Sequence, residues 1–250
     1  MPHRLLCVTA HPDDESGAFG GALMLARAVG AETSVLCFTD GRAAHFRGAA
    51  AGAEELGKLR RAEMDAACGV LSVTRCEVLG FPDGELAKQS FQELAGIVVE
   101  HIRRWRPQVV LTFGGDGGVN LHRDHTMISV VTTAAFHWAG RAEMFASELK
   151  PYAPQKLYYA STPFVSVRDR PELSNASTVP WSLTLVLGAL AERKLEAFQK
   201  HHSQQGVLER VGEHVKKAMS VERYLLAAQR GVASVTEDKG MFAGIVEDGE

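Results

Sequence analysis

A histidine and two consecutive carboxylates stand together near the start of the chain, in the stretch Ala10-His11-Pro12-Asp13-Asp14-Glu15. Asp14, three residues after His11, can join it on one metal ion, which leaves Asp13 as a free carboxylate beside that metal. A neutral imidazole and a carboxylate suit zinc or ferrous iron. The alternative is that the acidic residues only cap a helix and favour its positive N-terminal dipole. The histidine and the apolar run before it favour the metal.

A second group, His122, Asp124 and His125, follows another apolar run and a glycine-rich stretch. If both groups lie at one edge of a sheet, His125 can complete a metal triad with His11 and Asp14, with water in the open position of a catalytic site. His122 then stands beside the metal without binding it, and Asp124 can fix the tautomer of a histidine. Two neighbouring histidines alone more often mark a solvated helix start, so this interpretation depends on the first group.

Alternating strands and helices must position both groups. Apolar runs predict strands at about residues 4–9, 33–39, 75–80 and 109–113, and helical spacing predicts helices at about 18–29, 53–71, 91–105 and from 125 to 138. Strands that alternate with helices of this length indicate βαβ units. Ligands bind at the carboxyl ends of the strands in such sheets. The sequence therefore predicts a Rossmann-like α/β fold, with a mostly parallel sheet flanked by helices.

The second half of the chain is less regular. It predicts strands at 157–162 and 182–187 and helices at roughly 189–202 and 207–228. In the first half, the loop 41–52 is long for a compact domain and is interpreted as a lid. No repeat or linker divides the chain, so a single domain over residues 1–250 is predicted.

Composition excludes several classes of protein. The formal net charge is -3 and the pI is about 6.4, which gives no basic field for nucleic acid or an anionic membrane. A hydrophobic share of 46% with 23% charged residues is ordinary for a soluble globular protein. The four cysteines form no C-x-x-C pair, and no apolar run is long enough to span a bilayer. A cytoplasmic location, with no nucleic-acid or membrane partner, is therefore predicted.

The two histidine groups resemble the signature of the PIG-L/LmbE-like zinc N-deacetylases. Supporting likeness follows in order along the chain, in Arg60-Arg61-Ala62-Glu63, Phe81-Pro82-Asp83-Gly84, and Lys194 followed by His201-His202-Ser203-Gln204. Members of this family remove acetyl groups from N-acetylglucosamine-type sugars and their conjugates. One departure is Arg123, where proline is usual, so the rigidity and charge of that loop differ from the family pattern.

The resemblance implies that His11, Asp14 and His125 are the ligands of Zn²⁺. Fe²⁺ or another divalent metal suits the same donor types. The implied partner is a small-molecule amino-sugar conjugate, and relatives often self-associate as homo-oligomers. Zinc lowers the pKa of bound water towards ~7 and polarises the carbonyl of an amide.

The resemblance also implies the remaining roles. Asp13 is the general base that accepts the proton of the attacking water, and His122 stabilises or protonates the tetrahedral intermediate. Asp124 supports a histidine. Arg60 and Asp83 contact sugar hydroxyls.

Two other functions compete with the deacetylase. Two histidines and one carboxylate also form the facial triad of ferrous oxygenases, although those commonly use H-x-D on a β-barrel rather than H-x-x-D on an α/β pattern. A non-catalytic sugar- or nucleotide-binding module would need neither the spare Asp13 nor His122. The preferred conjugate and the roles of His201 and His202 are not encoded in any readable motif.

Overall fold

The computed structural model describes residues 2–160, 181–212, 219–231 and 239–246. The strands are β1 (Arg4–Thr9), β2 (Glu32–Thr39), β3 (Arg75–Phe81), β4 (Val109–Phe113), β5 (Lys156–Ala160), β6 (Leu183–Val186) and β7 (Val221–Gln229). The helices are α1 (Asp14–Gly17), α2 (Gly20–Ala28), α3 (Ala53–Leu71), α4 (Phe91–Trp105), α5 (Arg123–Trp138), α6 (Leu190–Gln199) and α7 (Gln205–Val211). None of these helices is long and apolar enough to cross a bilayer.

Within the described ranges the strands form one seven-stranded sheet, in the order β3-β2-β1-β4-β5-β7-β6. The first five strands in that order are parallel, and β7 runs antiparallel to both of its neighbours. The strand order reverses between β1 and β4, which is where a sheet of this kind opens a crevice for a ligand. The predicted Rossmann-like, mostly parallel α/β sheet flanked by helices is confirmed.

The central strands β1 and β4 consist of short apolar runs because helices cover them. From Leu5 to Thr9, β1 is completely buried, and so is every residue of β4. Helix α4 packs against α5, whereas α2 and α3 pack against α6. In helix α4 the apolar residues Leu94, Val98 and Ile102 recur at helical spacing and form its buried face. Its N-cap residue, Ser90, accepts a hydrogen bond from the backbone N–H three residues later.

The prediction of a helix over 207–228 is wrong for its second part. Helix α7 ends at Val211, and residues Val221–Gln229 form β7. Glu222 and Tyr224 alternate with less buried neighbours, which is the strand period of two. The Leu-Leu-Ala-Ala run inside β7 favours a helix by propensity, but hydrogen bonding to the strands on either side overrides that preference.

Smaller differences concern element boundaries. The predicted helix 18–29 is α2, preceded by the separate turn α1. The predicted strand 157–162 is confirmed as far as Ala160, and its last two residues lie outside the described residues. The single domain over residues 1–250 stays a prediction.

Candidate metal centre and active site

The two histidine groups meet at the carboxyl ends of β1 and β4. His11 Nδ1 lies 3.3 Å from His125 Nε2. Asp14 faces both rings, with Oδ1 3.2 Å from His125 Nε2 and Oδ2 3.7 Å from His11 Nδ1. Bonds of about 2.0–2.2 Å to a tetrahedral zinc place its donor atoms about 3.3–3.6 Å apart. The distance between His11 and His125 falls in this range, and Asp14 faces the two rings through different carboxylate oxygens at distances just outside it.

Backbone contacts fix the orientation of two of these side chains. Asp14 Oδ2 accepts hydrogen bonds from the backbone N–H groups of Ala10, at 3.1 Å, and His11, at 2.8 Å. His125 Nδ1 lies 3.1 Å from the carbonyl oxygen of Gly117, which can only accept. The proton of a neutral His125 ring is therefore on Nδ1, which leaves the lone pair of Nε2 for a metal.

Two carboxylates hold the outer nitrogen of His11. Its Nε2 lies 3.3 Å from Asp124 Oδ2 and 3.1 Å from Asp83 Oδ1. Asp124 is itself fixed, because it accepts hydrogen bonds from the backbone N–H groups of Gly84, at 2.8 Å, and Leu86, at 3.1 Å. A carboxylate on the outer nitrogen of a metal-binding histidine sets its tautomer and raises its basicity.

The electrostatics of this cluster favour a positive charge between its members. Burial lowers the pKa of His11, but hydrogen bonds to two aspartates and the charge of Asp14 outweigh burial and raise it to about 10. Burial raises the pKa of Asp14, but the positive charge of His125 and its hydrogen bond hold that pKa well below its usual range. A divalent cation bound here would take the place of the proton, because it supplies the positive charge that these carboxylates stabilise.

His122 stands at the side of the cluster. Its ring makes an edge contact with His11, with centroids 4.6 Å apart, and its Nδ1 accepts a hydrogen bond from the backbone N–H of Asp124 at 3.1 Å. Burial and the charges of His11 and His125 lower the pKa of His122 to about 4, so the ring is neutral and carries its proton on Nε2. Ring nitrogens of the three histidines lie within 4.8 Å of one another, so His122 borders the same site.

Asp13 has an unusual backbone conformation beside this cluster. Its φ of 118° and ψ of −24° are rare for a residue other than glycine. Asp13 Oδ2 accepts a hydrogen bond from Arg60 Nη2 at 2.9 Å, and the same nitrogen contacts the carbonyl oxygen of Pro12. Burial raises the pKa of Asp13 to about 6, although the charge of Arg60 opposes this shift. A carboxylate with this pKa is ionised near neutral pH and can accept a proton.

The two residues expected to contact sugar hydroxyls are engaged with the protein. Arg60 is buried, and its Nη1 donates to the carbonyl oxygen of Gly41 at 2.9 Å. Asp83 contacts His11 and also accepts a hydrogen bond from the backbone N–H of Ala43 at 2.7 Å. The structure therefore brings both residues into the candidate centre, and their contact with a sugar stays a prediction.

A buried polar layer that the sequence analysis left without a role lies behind Asp13. Glu15 Oε2 accepts a hydrogen bond from the backbone N–H of Asp13 at 2.9 Å, and Glu15 Oε1 lies 2.7 Å from His201 Nε2. Two residues further along, Ser203 donates to Glu63 through its backbone N–H, at 2.7 Å, and its hydroxyl, at 2.6 Å. The late histidine and serine thus bind the helices that carry the site. The H-x-S-Q resemblance was the one signal that pointed to them.

A second buried ion pair connects α6 to β7, and its carboxylate also binds α2. Lys194 Nζ lies 2.5 Å from Glu222 Oε1. The carboxylate of Glu222 also accepts hydrogen bonds from the backbone N–H groups of Gly21, at 2.7 Å, and Ala22, at 2.8 Å, and from the hydroxyl of Tyr224, at 2.8 Å. Glu222 therefore satisfies the open amino terminus of α2 from β7, a strand far along the chain.

The loop 41–52, interpreted from sequence as a lid, is attached near its start and at its middle. Asp83 receives the backbone N–H of Ala43 near its start, and Gln204 Nε2 donates to the carbonyl oxygen of Phe46 at 3.0 Å. The ring of Phe46 lies so close to Gly206 that a Cβ there would collide with it. The loop is thus seated against the segment that follows His201.

Comparison with known proteins yields both sequence and structural similarity. The family model PIG-L, described as GlcNAc-PI de-N-acetylase, matches residues 6–136, which contain both histidine groups. The mycothiol S-conjugate amidase of Streptomyces coelicolor is 36% identical over 179 residues, which cover 62% of this chain and 60% of the amidase. The 1D-myo-inositol 2-acetamido-2-deoxy-alpha-D-glucopyranoside deacetylase of Rhodococcus jostii is 34% identical over 181 residues, 64% of this chain and 61% of the deacetylase.

These matches span about 60% of the length of the two curated relatives. Among solved structures, the N,N'-diacetylchitobiose deacetylase from Pyrococcus horikoshii superposes with a TM-score of 0.73 over 89% of this chain and 83% of that chain. The sequence identity in that superposition is 19%, so it supports the fold alone.

Proposed function

The chain belongs to the PIG-L family, and from this premise we propose that it is a metal-dependent N-deacetylase acting on an N-acetylglucosamine-type sugar or conjugate. The observation that carries the proposal is the triad of His11, Asp14 and His125 with Asp13 held beside it. The names of the two sequence relatives, an amidase and a deacetylase of a 2-acetamido-2-deoxy sugar, support hydrolysis of the same kind of bond.

The metal of the proposal is Zn²⁺, held by His11, Asp14 and His125. Two imidazole nitrogens and one carboxylate are a common ligand set of catalytic zinc, which keeps a further position open. Bound there, zinc lowers the pKa of a coordinated water to about 7 and polarises the acyl carbonyl. Fe²⁺ suits the same donor types, so the metal itself is part of what the experiment below measures.

Asp13 is the general base of the proposed reaction. Its carboxylate takes a proton from the water whose oxygen bonds to the acyl carbon. The pKa of about 6 keeps Asp13 ionised at neutral pH yet basic enough to accept that proton. The hydrogen bond from Arg60 fixes the direction of the carboxylate. When the carbon–nitrogen bond breaks, Asp13 returns the proton to the leaving amine, so acetate and a free amine are the products.

His122 completes the proposed constellation. Its neutral ring carries the proton on Nε2, because Nδ1 accepts the backbone N–H of Asp124. A donor fixed in this way stabilises the oxygen that gains negative charge as the amide carbon becomes tetrahedral.

Product release from a defined panel of substrates tests the proposal. Zinc-loaded protein is incubated with N-acetylglucosamine and several of its 1-O-conjugates, and both acetate and free amine are measured. We expect equal amounts of the two products, loss of release after chelation, and recovery when zinc is restored. Binding without release of either product would contradict the proposal and indicate a sugar-binding module. Turnover that requires oxygen and 2-oxoglutarate would indicate the oxygenase.

A further inference from the structure

We propose that Glu15 and His201 form a buried positioning pair that holds Asp13 in the conformation needed for proton transfer. This inference rests on the proposed function, because it assigns Asp13 the role of base. Neither residue belongs to the ligand triad. The pair acts through the backbone of Asp13 rather than on the substrate.

The conformation of Asp13 needs support. A residue with a side chain is strained at a φ of 118°, and such strain persists only where surrounding contacts impose it. At the start of a helix an aspartate usually turns its side chain back onto the helix amides. The side chain of Asp13 makes no such cap hydrogen bond and contacts Arg60 instead. Something other than its own side chain must therefore hold its backbone.

Glu15 supplies one such contact. Its Oε2 lies 2.9 Å from the backbone nitrogen of Asp13 and accepts that N–H. The side chain of Glu15 is completely buried. A hydrogen bond from a backbone N–H to a buried carboxylate is stronger than one between neutral groups, and its loss leaves the donor unsatisfied. Rotation of the Asp13 peptide away from its present orientation would break this bond.

His201 fixes the other oxygen of the same carboxylate. Its Nε2 lies 2.7 Å from Glu15 Oε1, and its side chain is also completely buried. Among the described residues, Nε2 is the ring nitrogen of His201 that finds a hydrogen-bond partner. The turn that follows contacts α3 through a separate pair, Ser203 and Glu63. Each oxygen of Glu15 thus has one fixed partner, and the backbone of Asp13 is one of them.

Three variants test the pair. Glu15→Ala removes both hydrogen bonds, and we expect kcat to fall about 100-fold, the effect of a misplacement of about 1 Å, while KM stays nearly constant. Glu15→Gln keeps an amide oxygen that can accept the Asp13 N–H, so it should restore most of kcat. His201→Leu leaves Glu15 in place but without its second partner, and it should lower kcat by a smaller factor than Glu15→Ala.

Glu63→Ala is the matched control. Glu63 is also a buried carboxylate, and it binds the same late turn through Ser203 without touching Asp13. If the Glu15 pair has a purely structural role, every variant of these buried residues should lower Tm, and kcat of the folded protein should be the same in all of them. The proposal predicts that Glu63→Ala lowers Tm while its kcat stays close to that of the unchanged enzyme. Metal content is measured in every variant and should equal that of the unchanged protein.

Crystal structures of Glu15→Ala and His201→Leu provide a readout that does not depend on turnover. We expect Asp13 to leave its positive φ in Glu15→Ala. Retention of that φ together with the Arg60 contact would overturn the proposal, and so would equal values of kcat for Glu15→Ala and Glu63→Ala. If the unchanged enzyme releases no acetate, the proposed function fails by itself, and the backbone of Asp13 in these structures still decides whether the pair positions it.

Discussion

The strand-end site, formed by residues 10–14 and 122–125, and the late segment, residues 194–204, are both polar and buried but are built on different plans. The strand-end site collects several carboxylates and histidines around one point, so their charges are balanced best by a cation. In the late segment the buried charged side chains have separate, distant partners, as Lys194 has Glu222 and His201 has Glu15. Concentrated polar groups create a binding site, whereas distributed pairs hold elements together.

The largest expected effect separates chemistry from metal binding inside the strand-end site. In Asp13→Ala, removal of a general base should lower kcat by about 10²- to 10⁴-fold. Metal content should be unchanged, because Asp13 is not a member of the ligand triad. Metal analysis and steady-state kinetics on the same preparation check both statements. Full activity with the metal retained would remove Asp13 from the role of base.

The Lys194–Glu222 pair of the late segment should respond with stability rather than activity. Lys194→Met leaves the buried carboxylate of Glu222 without its cation, which should lower the free energy of unfolding by about 3 kcal/mol. Denaturant unfolding measures this loss, and kcat of the folded protein should stay close to that of the unchanged enzyme. Lys200→Met is the control, because its pair with Glu196 is largely exposed and contributes about 0–1 kcal/mol. Equal losses in the two variants would contradict the distinction.

A smaller effect should appear when the support of a ligand is weakened. Asp124→Asn replaces a carboxylate that faces His11 Nε2, and such changes lower metal affinity by about 10- to 100-fold. Competition with a chromogenic chelator measures the affinity. Glu63→Gln, a carboxylate change beside the late segment, should leave metal affinity unchanged. Equal losses of metal affinity in Asp124→Asn and Glu63→Gln would contradict the distinction between the strand-end site and the late segment.

The same contrast explains what could be predicted from the sequence. The proposed ligands of the strand-end site follow predicted strands within a few residues, so residue type, spacing and the rule of carboxyl ends are enough to bring His11 and His125 together. Glu15 looked like a helix-capping residue, because its partner His201 is 186 positions away and no local pattern couples them. A helix was predicted at residues 221–229 for a related reason: the neighbouring strands that make this segment β7 are remote in sequence.

The position of Glu222 late in the chain affects the order in which parts of the fold form during synthesis. It meets Gly21 across 201 positions, and β7 must enter the sheet between β5 and β6. A nascent chain therefore emerges from the ribosome with the proposed metal ligands before the strand that completes the sheet. Contacts of such high sequence separation slow folding and leave an incomplete sheet edge exposed in the meantime. Chains released before residue 222 carry the proposed ligands without the strand that joins β5 to β6.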